Sequence, residues 1–479
     1  MKKNCPVLVL ILFLLAFNGL SQEIKLPEER ITGKDIRIEK TRIFPLSVPS
    51  FKVTIPEIQE PEGLSTEEKG LSDKNRKGQE GYIYFSLGSY DTMQNMLSYH
   101  SVTEGAEYLF DLQTLLSGGY RNNSERQEIG FNFQRDTSDS KLSIGLTQGS
   151  LGLPGPEGHP FNSKRDFLSF NTDFSFLKNE GFTPSISQRF YRIDNSIETN
   201  FIFLNLAMDK FPFRFETGIE RQDVFSENFS STSFYQSIYA KQDRLSIGGT
   251  LKVIERYGVR FLPSITYNIN ENLTLDITGR YRIPDLYMDI ISDEYKELDD
   301  NYKIAPEEEY KVSLAFHKKF KETYLHLDIS PSYIDNSYVW ADMDKNGLLE
   351  PHPVRYWQTS INLELHHTLT NYIRWFFKGE KKFLSEAIDY YPEEVFDTGL
   401  TGTYRNIKGK FWLSYTGERR FSGKELGSVP VINAEFVFTN GKLLEWGISI
   451  YNITDREYFK VPGYPAEGRS IMSFIKFLF

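Results

Sequence analysis

From Tyr82 to Phe479 apolar and polar residues alternate with period two. Tyr310, Val312, Leu314 and Phe316 interleave with Lys311, Ser313, Ala315 and His317. Leu273, Leu275, Ile277 and Tyr281 interleave with Thr274, Asp276, Thr278 and Arg280. The same holds for Ile432, Ala434, Phe436 and Phe438 against Asn433, Glu435 and Val437, and for Leu444, Trp446, Ile448 and Ile450 against Glu445, Gly447, Ser449 and Tyr451. Successive side chains of a strand point to opposite faces, so each segment has one apolar and one polar face. About 22 such segments are predicted from apolar alternation and flanking turn residues. They begin near 82, 94, 106, 126, 140, 165, 181, 196, 211, 231, 243, 258, 272, 308, 321, 356, 371, 395, 408, 429, 443 and 468.

The connections sort by parity. Those after even segments are short: Lys178 to Gly181, Asn270 to Asn272, Phe320 to Glu322, His367 to Thr370, Asn406 to Lys408 and Asn440 to Lys442. The longest follow odd segments, at 150–164, 284–307, 333–355, 385–394, 421–428 and 455–467. A soluble sandwich or propeller has no reason to sort its loops this way. A transmembrane β-barrel does, with short periplasmic turns and longer extracellular loops. The expected fold is therefore all-β, a transmembrane antiparallel barrel of about 22 strands, with a short extended N-terminal periplasmic segment. In the last segment Ile471, Ile475, Phe477 and Phe479 fall on one face, and the chain finishes on an aromatic residue, as outer-membrane barrels that engage the insertion machinery typically do. On a soluble protein this apolar edge would invite aggregation.

Residues 1–21 read as a secretory signal peptide. Lys2 and Lys3 precede the apolar run Val7 to Phe17, and Gly19-Leu20-Ser21 offers small residues for cleavage after Ser21. Cys5, the only cysteine, precedes that run, so no lipid attachment, disulfide framework or thiolate metal site is expected. Residues 22–80, punctuated by Pro27, Pro45, Pro49, Pro56 and Pro61, are expected to form an extended periplasmic segment with too little apolar material for a core. Residues 81–479 are assigned to the barrel.

Composition agrees. No second apolar run is long enough to span as a helix, and the mean hydropathy is -0.42. Aromatic residues make up 15% of the chain, with 38 Phe and 28 Tyr, which suits a lipid-facing wall with interfacial girdles. A net charge of -10 argues against a nucleic-acid partner.

Three stretches resemble the barrel of TonB-dependent outer-membrane receptors. Asn452-Ile453-Thr454-Asp455-Arg456-Glu457-Tyr458, then Gly463-Tyr464-Pro465, Gly468-Arg469 and the aromatic final strand, are similar to that family's closing pattern. Arg282-Ile283-Pro284-Asp285-Leu286 with Ala305-Pro306-Glu307 is similar to a loop leading into a later barrel strand, and Ile361 to Leu365 and Ser414 to Arg419 also fit. The resemblance covers roughly the last 200 residues and implies a 22-stranded barrel. It also implies a plug of more than a hundred residues ahead of the barrel. Only Glu28-Glu29-Arg30-Ile31-Thr32-Gly33 resembles the opening of such a plug, so the sequence is expected to lack one. The lumen would then be narrowed by residues 22–80, by loops, or by a separate plug chain or periplasmic partner.

Candidate chemistry is sparse. Asp342, Asp344, Asn346, Gly347 and Glu350 match part of a calcium loop, but Pro353 stands where the bidentate glutamate belongs, so a polar turn is expected. Among His100, His159, His317, His326, His352, His366 and His367, the adjacent pair His366 and His367 points to opposite faces of a strand. Glu364 and His366 share the lumen face and are read as a solvated pair. Gly149, Gly152, Gly155 and Gly158 with Pro154 and Pro156 mimic a phosphate cradle, yet no helix follows. Asp299, Asp300 and Glu307 to Glu309 read as a solvated acidic loop.

No catalytic residue, cofactor site or metal site is expected, and no substrate is assigned. The expected function is transport: a barrel in the Gram-negative outer membrane, lodged in lipid, passing or receiving a solute like a porin or half of a two-chain receptor. The rival readings are a structural or adhesive barrel that displays loops 284–307 and 333–355, and an outer-membrane hydrolase, for which no Ser/His/acid motif is found.

Overall fold

The computed structural model describes residues 78–479, apart from 104, 121–123, 154–162, 177–181, 195–196, 211, 225–228, 256, 283–289, 291–295, 297–305, 342–348, 387, 389–390, 422–423, 442 and 462–463. The signal-peptide and 22–80 expectations lie outside these residues up to position 77.

Twenty-two antiparallel strands form one sheet, each paired with its sequence neighbours. The first, Gly78–Gly88, pairs with the last, Ser470–Leu478, so the sheet closes on itself. At the seam Ile83 faces Phe477, and Gly81 and Phe479 exchange backbone bonds of 2.8 and 2.9 Å. Closure leaves no unpaired edge.

The register carries one facing all the way round. Leu204, Ile219, Phe234 and Val253, neighbours on four successive strands, all point outward and are 37–48% exposed. Their chain neighbours point inward: Asn205, Glu220, Ser233 and Lys252. A large apolar side chain is worth about 1.5–3 kcal/mol when taken out of water, so an outer face of this composition demands a non-aqueous surround. The inner face is rich in small buried polar residues, among them Ser86, Ser98, Ser231, Ser237, Ser313, Ser330, Ser360 and Ser449.

Strand starts follow the alternation closely, with one large departure. The sixteenth strand runs Glu350–Thr370 and its partner Thr323–Ala341, so most of the expected loop 333–355 is paired strand. On the outward face Tyr333 packs against Trp357 with tilted rings, centroids 4.9 Å apart, and one step further Arg355 pairs with Asp335 at 2.8 Å. The apolar belt ends at these two rings and the ladder continues beyond it into water. Sequence alternation stops at that level although pairing does not. At the other end Tyr372, in a short turn, and Tyr404, the last residue of its strand, stand 5.4 Å apart as a second girdle. The expected turn 367–370 is likewise strand, and the chain reverses at Asn371 and Tyr372.

The parity of the connections holds among the described strands. Turns such as those joining Gln242 to Leu245, Asn270 to Leu273 and Tyr404 to Ile407 gather at one mouth. Two of these carry left-handed residues, Asp243 (φ 45°) and Arg405 (φ 51°). The long connections gather at the other mouth.

One of them explains the closing motif. Asn452 is nearly buried and left-handed (φ 50°). Its Nδ2 donates to the carbonyls of Arg456 (2.9 Å) and Glu467 (3.3 Å), and its Oδ1 accepts from the Arg456 N–H (2.9 Å). Asp455 Oδ1 accepts from the Arg469 N–H at 2.6 Å. These bonds staple the base of the connection that carries the small hairpin of Phe459–Val461 and Tyr464–Pro465. Asn452→Ala removes the three bonds of its own side chain and leaves their backbone partners unpaired, at about 1–3 kcal/mol. The expected result is faster amide exchange confined to 453–469, read by mass spectrometry, with exchange in the wall strands unchanged.

Candidate functional site

The inner face is the polar surface to which all 22 strands contribute. Charges of both signs occur there, mostly in pairs. Lys252 Nζ lies 2.6 Å from Glu220 Oε2, which also accepts from Ser233 Oγ at 3.0 Å. Arg126 pairs with Glu128 (2.8 Å), Lys382 with Glu380 (3.0 Å) and Arg214 Nε with Glu216 (2.8 Å). Pairing across neighbouring positions cancels local field, so the wall presents a polar rather than a single-signed surface. Near the short-turn mouth a recess of about 620 Å³ lies among Ser143, Asp173, Ser185, Ser187, Asn205 and Arg214.

The long-loop mouth is built differently. Leu151, Phe167, Tyr191, Ile193 and Phe201, all inward-facing on strands five to eight, form a buried apolar cluster with Ile290. Ile290 belongs to the connection between the thirteenth strand, Leu273–Arg282, and the fourteenth, Glu307–Lys319, several strands further round the wall. It is only 1% exposed. Arg165, buried on the inner wall, donates Nη1 to the Ile290 carbonyl and Nη2 to the Lys296 carbonyl, each at 2.7 Å. A guanidinium fork suits two carbonyls because its donors are fixed and always charged. Lys296 bridges to Leu349 and places its ammonium 4.9 Å from the Trp340 ring centre. Trp340 touches both this cluster and the Leu349–Tyr464 pair. Tyr120 Oη then donates to the Pro465 carbonyl at 2.7 Å. Contacts therefore run from one side of the mouth to the other through Ile290, Lys296, Leu349 and Tyr464.

The connection residue Tyr458, half-buried near Glu467, has its hydroxyl pKa raised, mainly by desolvation and then by that carboxylate. It stays neutral through the neutral range.

Glu364 Oε1 and His366 Nε2 stand 2.8 Å apart on the inner wall, as expected from period two, and His367 faces outward against Thr323 Oγ1 at 2.8 Å. His100 pairs with Glu107 at 2.8 Å. Glu307, Glu308 and Glu309 are not a solvated loop: they open the fourteenth strand and pair with Arg282 (3.2 Å), Arg260 (3.2 Å) and Arg280 (4.0 Å). The register sets Arg282 opposite Glu307 and Arg280 opposite Glu309, which sequence spacing alone does not reveal. Gly149 and Gly152 lie within the strand Ser140–Leu153. Of the calcium-loop candidates, Asp342, Asp344, Asn346 and Gly347 lie outside the described residues, while Glu350 and Pro353 belong to a strand. His159, Asp299, Asp300, Pro154, Pro156, Gly155 and Gly158 also lie outside them. Arg165 and Ile290 carried no signal in sequence, because their contact joins elements that are not neighbours in the sheet.

No family model matches this chain, and no curated protein matches it. Solved structures do share its fold. It is similar to the copper transporter OprC (TM-score 0.64, 12% identity, 84% of this chain and 81% of that one). It is similar to the ferric enterobactin receptor PfeA of Pseudomonas aeruginosa (TM-score 0.62, 10% identity, 84% and 82%). The FrpB iron transporter of Neisseria meningitidis gives a TM-score of 0.61 at 10% identity over 85% and 82%.

Proposed function

We propose that this chain is an outer-membrane transport barrel of the TonB-receptor type, working without a plug of its own, that passes or receives a polar solute. The observation that carries the reading is the wall itself: closed, with a predominantly apolar outer face and a predominantly polar inner face. Such a wall separates lipid from a wet interior and serves no purpose in water. Structural neighbours whose names mark them as transporters or receptors support the same class. The barrel would reach the membrane through the insertion machinery. Residues 22–77 or a separate plug chain would meet it from the periplasmic, short-turn side. The Ile290–Arg165 contact set would narrow the extracellular mouth, and the paired inner charges would give a conduit that favours neither cations nor anions strongly.

Planar-bilayer recording tests this on the mature protein and on a form lacking residues 22–77. Discrete conductance steps with weak ion selectivity are expected from at least one form. A correctly folded protein silent in both forms would overturn passive transport.

A further inference from the structure

The inner wall near the short turns concentrates histidine. Of the seven in the chain, His317, His326 and His366 lie on three consecutive strands, Glu307–Lys319, Thr323–Ala341 and Glu350–Thr370. Pairing sets His317 opposite His326, and His326 opposite Glu364. His366 follows Glu364 by two positions and therefore shares its face. That face is the lumen: the same register runs through the Ser313, Ser330 and Asp328 hydrogen-bonded group, whereas Leu314 and Ile329 point outward.

This spacing suits metal chelation. Directly opposed Cβ atoms lie about 5 Å apart and diagonal ones about 7–8 Å, while positions two apart on a strand are separated by about 7 Å. His326, Glu364 and His366 thus hold a triangle of about 5, 7 and 8 Å. An imidazole or carboxylate at each corner reaches a common ion above its centre, with metal–ligand bonds of about 2.0–2.2 Å. Two donors on one strand and a third on its antiparallel neighbour leave the fourth tetrahedral position to His317 or solvent. In the unliganded side-chain arrangement no three such groups among the described residues converge on a point. Instead His366 Nε2 bonds Glu364 Oε1 at 2.8 Å. Closing the triangle takes side-chain rotation by groups that are only partly buried, with the backbone frame already set. Lys378, opposite Glu364 on the next strand, and Lys319, opposite Tyr324, oppose the ion, while Asp328 and Asp397 favour it. Imidazoles with one carboxylate and no thiolate select borderline divalent ions over calcium and magnesium.

We propose that His326, Glu364 and His366, with His317 as a further donor, bind one borderline divalent transition ion on the lumen wall at the short-turn mouth. The site stands whether or not the barrel conducts, and its readout is binding alone.

Tag-free protein, stripped with chelator and exchanged into fresh detergent, is titrated calorimetrically with Zn²⁺, and in separate arms with Ca²⁺ and Mg²⁺. One Zn²⁺ per chain is expected, with no saturable Ca²⁺ or Mg²⁺ binding. His326→Ala and His366→Ala should each weaken Zn²⁺ by about tenfold or more, since loss of even an outer-shell partner costs 10–100-fold. His367→Ala, on the outward face, should bind like the parent. His326→Gln covers the case in which the alanine variant does not fold. Absence of Zn²⁺ binding by the parent, or parental affinity in folded His326 and His366 variants, would overturn the site.

Discussion

In the proposed conduit, Arg165→Ala is expected to raise the open-to-closed ratio by about a hundredfold or more. Its guanidinium makes two hydrogen bonds to the carbonyls of Ile290 and Lys296. Bonds to a charged group contribute about 1.5–3 kcal/mol each, and every 1.4 kcal/mol is a factor of ten. Ile290 adds the burial of an apolar side chain, about 1.5–3 kcal/mol, in the pocket of Leu151, Phe167, Tyr191, Ile193 and Phe201. Ile290→Glu should therefore open the mouth further, because a carboxylate cannot sit in that pocket unpaired. Neither residue contributes to strand pairing through its side chain, so the folded band on unheated gels should persist. Single-channel recording separates the outcomes. Longer open times in both variants support the narrowing; conductance and gating like the parent's would show that the Ile290 contact does not limit passage.

The second large effect concerns two neighbours on the strand Ser140–Leu153. Leu146 points outward and is 41% exposed; Thr147 points into the lumen between Gly130 and Ser169. Leu146→Arg is expected to cost about 2–4 kcal/mol, the price of a guanidinium near the bilayer midplane. Thr147→Arg places the same group in the wet interior, where its two register neighbours are small, and should change stability by well under 1 kcal/mol. Urea unfolding in lipid vesicles, followed by tryptophan fluorescence, reads the difference. Equal losses for the two substitutions would mean that the two faces do not meet different media.

Much of this architecture was legible because a lipid-facing wall imposes alternation residue by residue. Strands expected from 106, 126, 140, 258 and 429 begin at Ala106, Arg126, Ser140, Gly258 and Val429. Where lipid ends, the signal ends. Asp335 and Arg355 pair on the outward face above Tyr333 and Trp357, so a continuing ladder looks like a polar loop in sequence. The strand expected near 356 accordingly starts at Glu350. The Glu364–His366 pair was visible from period two within one strand. The approach of His326 to Glu364 was not, since it depends on a register that only cross-strand pairing fixes. Still less could spacing reveal that Ile290 reaches the wall of Phe167 and Phe201, a contact between a connection and strands far from it in the sheet.

The membrane barrel requires that one face meet lipid and the other water, and single cysteines read that directly. Leu146→Cys and Thr147→Cys are introduced one at a time into a Cys5→Ser background, which carries no other thiol. After reconstitution into vesicles each is exposed to a membrane-impermeant maleimide, and a bimane label at each site to a lipid-borne quencher. Position 146 should resist the maleimide and be quenched from lipid; position 147 should label from water and escape quenching. Rapid aqueous labelling of both positions, in a protein that remains monomeric without detergent, would contradict the membrane wall and the transport function built on it.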